Sequence, residues 1–240
     1  PVVVVLFFAA IVLFQNDFST AVFLLLVAIA ISFAAGVPIP YFARMFAVVV
    51  PLTLILVFTR EHRVRRIIAF LNPTHDPSGG GFQILAARRA LENGGLWGVG
   101  IGESSRKLGG LPEAQSDFLF AVLGEELGFA GVSLVVLLFA AFAVRGLYLA
   151  HRQNDSFRSL LVFGVTAGIA LQALLNIAVV VGAVPATGIP LPFFSSGGSS
   201  LVVSFAMCGI MLNAAGPAPT GARPRNFYTV GNPGWEARRV

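Results

Sequence analysis

The chain has 240 residues, 56% of them apolar and 11% charged, with a net charge of +5 and a mean hydropathy of +0.84. Soluble domains carry about 25% charged residues, whereas residues 159–222 here contain no Asp, Glu, Lys or Arg. A water-soluble domain, a disordered chain and a secreted disulfide scaffold are excluded, and the expected class is an all-α, polytopic integral membrane bundle. Cys208, the single cysteine, lies in an apolar run and reads as a small packing residue. The three histidines, His62, His75 and His151, are too widely spaced for a metal motif. No basic stripe with interleaved aromatic residues supports nucleic acid, so the positive balance points to anionic lipid or a phosphorylated substrate.

The chain opens on an apolar run, residues 1–14, without the positive segment a signal peptide needs. It is therefore expected to start inside a membrane span and to belong to a longer protein. Spans of about 20 apolar residues are expected, in order, at residues 1–14 (truncated), 20–37, 45–59, 118–144, 159–184 and 199–215. Their continuous rather than alternating hydrophobicity predicts helices, and Pro51 is expected to kink the third. Residues 15–19, 38–44, 145–158 and 185–198 form short connections.

Residues 60–117 form one long loop. It opens on the basic cluster Arg60-Glu61-His62-Arg63-Val64-Arg65-Arg66, turns at Asn72-Pro73 and Asp76-Pro77, and reaches three glycines at 79–81. A short amphipathic helix is predicted over residues 82–92, then a second glycine-rich stretch over 94–110. Loops this long in a compact protein are usually functional. The tail, residues 216–240, is rich in Pro, Gly and Arg and is expected to be disordered. The sixteen Lys and Arg divide evenly between the two sides of the membrane. Judged on the short loops alone, the positive-inside rule puts the long loop outside.

Few residues can carry chemistry. Asp117 stands where the long loop enters the fourth span. It reads either as a helix N-cap or as a boundary carboxylate that acts as general base or holds a divalent cation. Glu125 and Glu126 lie deeper in the same helix. A charge near the bilayer centre costs about 2.5–3.5 kcal/mol, so each is expected to pair with an arginine, accept backbone hydrogen bonds or serve a proton pathway. On a continuous helix Glu125 would sit about 80° round and ~12 Å along from Asp117, with Glu126 almost opposite.

Asp17 reads as the cap of a tight interhelical turn, and Gln172 and Asn176, four apart, as interhelical hydrogen-bonding groups. Residues 190–200 lack both the P-loop lysine and the hydrolase Gly-x-Ser-x-Gly order. They read as a re-entrant turn, or as flexible backbone at a helix start that approaches an anion. The basic residues of the long loop read as a solvated face or as a holder of a diphosphate head group.

Taken together, the segments resemble the SEDS family of cell-wall polymerases, most closely its FtsW (division) type, with RodA and SpoVE as relatives. The resemblance rests on Gln15-Asn16-Asp17-Phe18-Ser19-Thr20-Ala21, similar to the family's Q-P-D-x-G-T-A, and on Asn72-Pro73, Asp76-Pro77 and Gly79-Gly80-Gly81-Phe82-Gln83. It continues in Gly94-Gly95-Leu96-Trp97-Gly98-Val99-Gly100, Leu111-Pro112-Glu113-Ala114-Gln115-Ser116-Asp117-Phe118 and Gly124-Glu125-Glu126-Leu127-Gly128. It ends in Gly188-Ile189-Pro190-Leu191-Pro192-Phe193-Phe194-Ser195-Ser196-Gly197-Gly198-Ser199-Ser200. Asn16 stands in place of the usual proline, Ser19 of a glycine and Ser196 of a common tyrosine.

The resemblance implies roughly ten spans, about four of them before Pro1, a SEDS-type transmembrane domain over residues 1–215, and an extracytoplasmic long loop. It implies lipid II polymerisation with inversion at the anomeric carbon, in the bacterial cytoplasmic membrane. A class B penicillin-binding protein and other division proteins would be the partners. Asp117 matches the family's essential aspartate, as base or as organiser of Mg²⁺ or Mn²⁺; no organic cofactor is implied. Lys107, Arg88 and Arg89 are assigned to the diphosphate from position and charge alone. Gln83, Glu113, Ser195, Gly197, Gly198 and Ser199 complete the expected substrate-binding set, with Asp17, Thr20, Glu125 and Glu126 in supporting roles. A lipid-linked precursor transporter and a non-enzymatic scaffold are the competing classes. The transporter would depend on Glu125 or Glu126 rather than Asp117.

Overall fold

The computed structural model describes residues 2–74, 80–104, 118–194 and 198–216. Among them all regular structure is helical: α1 (Val2–Phe14), α2 (Phe18–Ala34), α3 (Ile39–Phe58), α4 (Glu61–Leu71), α5 (Gly80–Gly94), α6 (Leu119–His151), α7 (Ser156–Val180) and α8 (Gly198–Ala215). The six apolar runs became α1, α2, α3, α6, α7 and α8, because only a helix satisfies its own backbone in lipid. Four of these, α3, α6, α7 and α8, are long and apolar enough to cross a membrane; α1 and α2 are shorter apolar helices. Large apolar side chains such as Val48 and Leu52 on α3, Leu134 and Leu137 on α6, and Phe205 and Leu212 on α8 point outward.

Several boundaries differ from the expected ones. α3 starts at Ile39 behind an extended Pro38, with a proline in its first turn, and it runs through Pro51. A proline in the first turn removes an N–H that has no helical partner anyway, so most of the expected 38–44 connection is helix. α6 extends to His151 and absorbs Arg145, leaving a turn at residues 152–155. Arg145 and Arg152 lie over the Tyr148 ring at 5.4 and 4.6 Å from its centroid, and Asp155 caps α7 by accepting from the Phe157 N–H. The basic cluster that opens the expected loop is itself a helix, α4, in which Arg63 and Ala69 are buried.

α5 is a helix as predicted, two residues longer at each end, and it packs on α6 through its smallest residues. Ala86, Ala87 and Ala90 are buried against Phe120, Ala121 and Val122, in a core that also takes in Ala173, Val179 and Val180 of α7. A second core joins α6, α7 and α8 through Ala150, Val162, Ile169 and Met211. Close approach of small residues is what packs helices in lipid.

The expected continuous fourth span is broken. Gly128, inside α6, has φ 65° and ψ −166°, a region open essentially to glycine alone. In an unbroken helix the N–H groups of Phe129 and Ala130 would donate to the carbonyls of Glu125 and Glu126. Instead Phe129 N donates to Gly95 O and Ala130 N to Leu96 O, while Val99 N and Gly100 N donate to Glu125 O and Glu126 O. The backbone after α5 thus threads the break and takes over its hydrogen bonds. A Cβ at Gly94 would lie 1.9 Å from Gly124 O, and one at Gly98 2.1 Å from Glu126 O, so this exchange needs glycine on both segments.

Candidate active site

One group of polar side chains gathers around the turn between α1 and α2, the inner face of α4, and the segment that follows α7. The first is built on Asp17. Its carboxylate accepts from the Thr20 N–H at 3.0 Å and the Thr20 hydroxyl at 2.6 Å, capping α2 as the sequence predicted. Asn16 takes φ 61°, which proline's ring forbids.

Helix α4 supplies cations. Arg63 is 8% exposed, donates to Leu56 O at 2.7 Å and lies over the Phe18 ring at 4.9 Å from its centroid. Leu56 O belongs to the last turn of α3, where carbonyls lack helical donors. Arg66, three residues on and on the same face, is exposed and reaches Ala186 O at 3.5 Å.

The connection after α7 forms a strap over these groups. Gln172 donates to Pro190 O and Asn176 to Ile189 O, each at 2.9 Å. These side chains had been expected to bond another helix; they hold the strap's backbone instead, because an irregular segment leaves carbonyls that need donors. Beyond it, the Phe193 ring packs against Phe139, Phe142 and Phe205.

These elements enclose two cavities. The larger, about 490 Å³, lies between Asp17 and Phe18, Arg63 and Arg66, and the strap at residues 184–189. The smaller, about 190 Å³, shares Arg66 and the strap and is closed by Gln83, Asn176 and Phe118. Of the expected substrate-binding residues, Gln83 faces the smaller cavity. Arg88 is exposed and paired with Glu92 at 3.2 Å, and Arg89 is exposed; neither lines these cavities. Gly198 and Ser199 open α8 and are exposed.

Asp117, Lys107, Glu113, Ser195 and Gly197, with the tail from residue 217, lie outside the described residues. Among the described residues, Phe118 holds the N-cap position of α6 without a side-chain bond. Glu125 is 2% exposed, accepts from the Ser104 hydroxyl and lies 3.4 Å from the Asn93 amide nitrogen that donates to it. Those donors offset part of its burial cost. Glu126 is buried beside it.

Among the described residues no three of His, Cys, Asp and Glu come together. Asp17 is the one carboxylate on either cavity there, and both of its oxygens serve Thr20. The described residues therefore form no cage for a divalent cation.

Sequence reasoning passed over Arg63, Arg66 and Thr187 as cavity residues. The signal was available for the arginines: 63, 66, 67 and 70 share one helical face, and Ile67 and Phe70 mark it as the inner one.

The architecture is that of a multi-pass membrane protein with a cationic, strap-covered cavity at one end of its bundle. Residues 1–218 match the family model described as cell cycle protein, which groups FtsW, RodA and SpoVE, and the chain belongs to that family. It is 41% identical, over 90% of its length, to the probable peptidoglycan glycosyltransferase FtsW of Borreliella burgdorferi, covering 59% of that protein. It is 45% identical over 87% of its length to the FtsW of Geobacter sp. (strain M18), covering 57%. With stage V sporulation protein E of Bacillus subtilis it shares 40% identity over 85% of its length, covering 56%. The chain thus spans less than three fifths of these relatives. A solved structure described as the structural coordination of polymerization and crosslinking by a peptidoglycan synthase complex superposes with a TM-score of 0.70 at 26% identity. That match covers 90% of this chain and 60% of the other.

Proposed function

We propose that this chain carries the catalytic part of a peptidoglycan glycosyltransferase that polymerises lipid II during bacterial cell division. Its relatives bear that activity in their names, and the likeness to a polymerising and crosslinking complex supports a class B penicillin-binding protein as partner. The observation that carries the reading is the pair of cavities that share Arg66, the smaller of them bounded by Phe118, the residue that follows Asp117 in the chain. Apolar helices beneath and cations above suit a substrate with a polyprenyl tail and a diphosphate.

In this reading Asp117 takes the proton of the acceptor sugar's 4-hydroxyl. The freed oxygen attacks the donor's anomeric carbon from the face opposite the diphosphate, and the C–O bond to the diphosphate breaks with its electron pair leaving on phosphate oxygen. The configuration inverts. A divalent cation, Mg²⁺ or Mn²⁺, would attach to Asp117 and supply further positive charge to the leaving group. Lys107 keeps its proposed place near the diphosphate, and Glu113, Ser195 and Gly197 stay in the proposed substrate-binding set. The site faces the extracytoplasmic side of the cytoplasmic membrane. Division is favoured over elongation or sporulation by the FtsW relatives, although the sporulation relative is nearly as similar.

The test is reconstitution of the full-length protein with its penicillin-binding partner, the transpeptidase inactivated and the partner also assayed alone. Wild type should form glycan strands from lipid II, and Asp117→Asn should form none while inserting normally. Strands from the Asn variant would remove both the base and the metal roles. No strands from either protein, with lipid II still crossing the bilayer, would establish the transporter instead.

A further inference from the structure

The larger cavity contains two buried polar atoms that the described residues do not satisfy. Among the described residues Arg63 Nε has no hydrogen-bond partner, and neither has Thr187 Oγ1; both residues line the same cavity. Arg63 is more than nine-tenths buried, yet among the described residues the ion pairs are Arg65–Glu61 and Arg88–Glu92. Neither Arg63 nor Arg66 has a carboxylate partner there. A buried guanidinium without an anion is costly to maintain.

Arg63 and Arg66 stand one turn apart on one helix face, separated by roughly 4.5 Å along the axis. They present forked N–H donors to the same space, an arrangement suited to phosphate oxygens. On the same cavity, the Thr187 hydroxyl is a third donor without a partner among the described residues. Asp17, the carboxylate on this cavity, is held by Thr20 at the start of α2, where the helix N-terminus already balances its charge.

We propose that Arg63, Arg66 and Thr187 form the subsite for the diphosphate of the polyprenyl-linked substrate. This deepens the glycosyltransferase reading and rests on it for the identity of the lipid. It assigns the leaving group to α4 and the strap, where sequence position had pointed to Lys107, Arg88 and Arg89. Arg66, shared by both cavities, would span the distance between the diphosphate and the reacting sugars.

The test is binding rather than turnover. Full-length protein in detergent is titrated with undecaprenyl diphosphate, and bound lipid is counted by native mass spectrometry. The variants are Arg63→Gln, Arg66→Gln, Thr187→Val and, as control, Arg65→Gln, whose side chain is exposed and bonded to Glu61. Charge-assisted hydrogen bonds are strong enough that losing either cavity arginine should raise the apparent Kd about tenfold or more, with Arg65→Gln unchanged. Because Arg63 also ties α4 to α3, Arg66→Gln and Thr187→Val, each with a wild-type melting curve, carry the result if Arg63→Gln unfolds.

Unchanged binding in Arg66→Gln and Thr187→Val would overturn the subsite, as would equal weakening in Arg65→Gln, which would mean surface charge alone. A second titration adds phosphatidylglycerol. Displacement of undecaprenyl diphosphate at equal mole fraction would make this a general phospholipid headgroup site and overturn the assignment; resistance supports it. The two readings fail separately. Arginine-dependent binding by a protein that never forms glycan strands leaves the subsite standing and removes the transferase. Normal strand formation with arginine-independent binding removes the subsite alone.

Discussion

Gly128 holds a conformation that other residues reach only under strain, and a Cβ there would lie 2.3 Å from Gly98 N. Gly128→Ala should therefore cost roughly 2–4 kcal/mol from strain and overpacking combined, read as a lower melting temperature of the purified full-length protein. Ser104 is the second informative residue. Its hydroxyl donates to the buried Glu125 carboxylate, and Ser104→Ala leaves that oxygen short of a donor at a cost of about 1–3 kcal/mol. If Glu125 is structural, Ser104→Ala lowers the melting temperature without altering lipid II movement in vesicles. Altered movement at unchanged stability would support the transporter.

At the scale of elements, the strap after α7 depends on two amides. Asn176 is almost wholly buried and holds Ile189 O, so Asn176→Leu should release the strap and strip a buried carbonyl, costing about 1–3 kcal/mol. Proteolysis within residues 184–190 should accelerate at least several-fold in that variant, and an unchanged cleavage rate would show the strap is held by its apolar residues alone. On α4 the Arg65 guanidinium beside Glu61 holds its carboxyl below the usual carboxylate range. A lowered folded-state pKa gives stabilisation that is complete above the ordinary carboxylate pKa and lost as pH falls through the lowered value. Glu61→Gln should remove that acid-side dependence from a melting curve measured against pH.

The spans were legible because a continuous apolar run admits one solution in lipid. Asp17 was legible because its cap is local, contained within three residues. α4 was not: four arginines in seven residues read as solvent-exposed chain, and only its packing turns Arg63 inward. The break in α6 was hidden for another reason. A single helical glycine costs only about 1 kcal/mol relative to alanine, so Gly128 does not announce a break. The partner segment that makes it possible lies about thirty residues upstream, and no local pattern links the two.

For the molecule as a whole, a single span, α6, separates the α4–α5 region from the turn at residues 152–155. The two must lie on opposite sides of the membrane. With Cys208 replaced by Ser, a cysteine at exposed Glu92 should react in intact cells with a membrane-impermeant maleimide admitted to the extracytoplasmic face, and one at exposed Asn154 should not. The reverse pattern would place the cavities and the proposed chemistry in the cytoplasm.

The threaded break in α6 also bears on how this protein acquires its fold. Neither strand of the exchange can finish its backbone bonding alone: the Val99 and Gly100 amides wait for carbonyls in α6, and the Phe129 and Ala130 amides wait for carbonyls upstream. As the chain emerges from the ribosome, residues 95–100 precede their partner, so their structure can lock only after α6 has entered the bilayer. Once locked, the four amides form one cooperative unit. They should exchange with solvent deuterium together, at one rate, although about thirty residues of sequence lie between the two pairs.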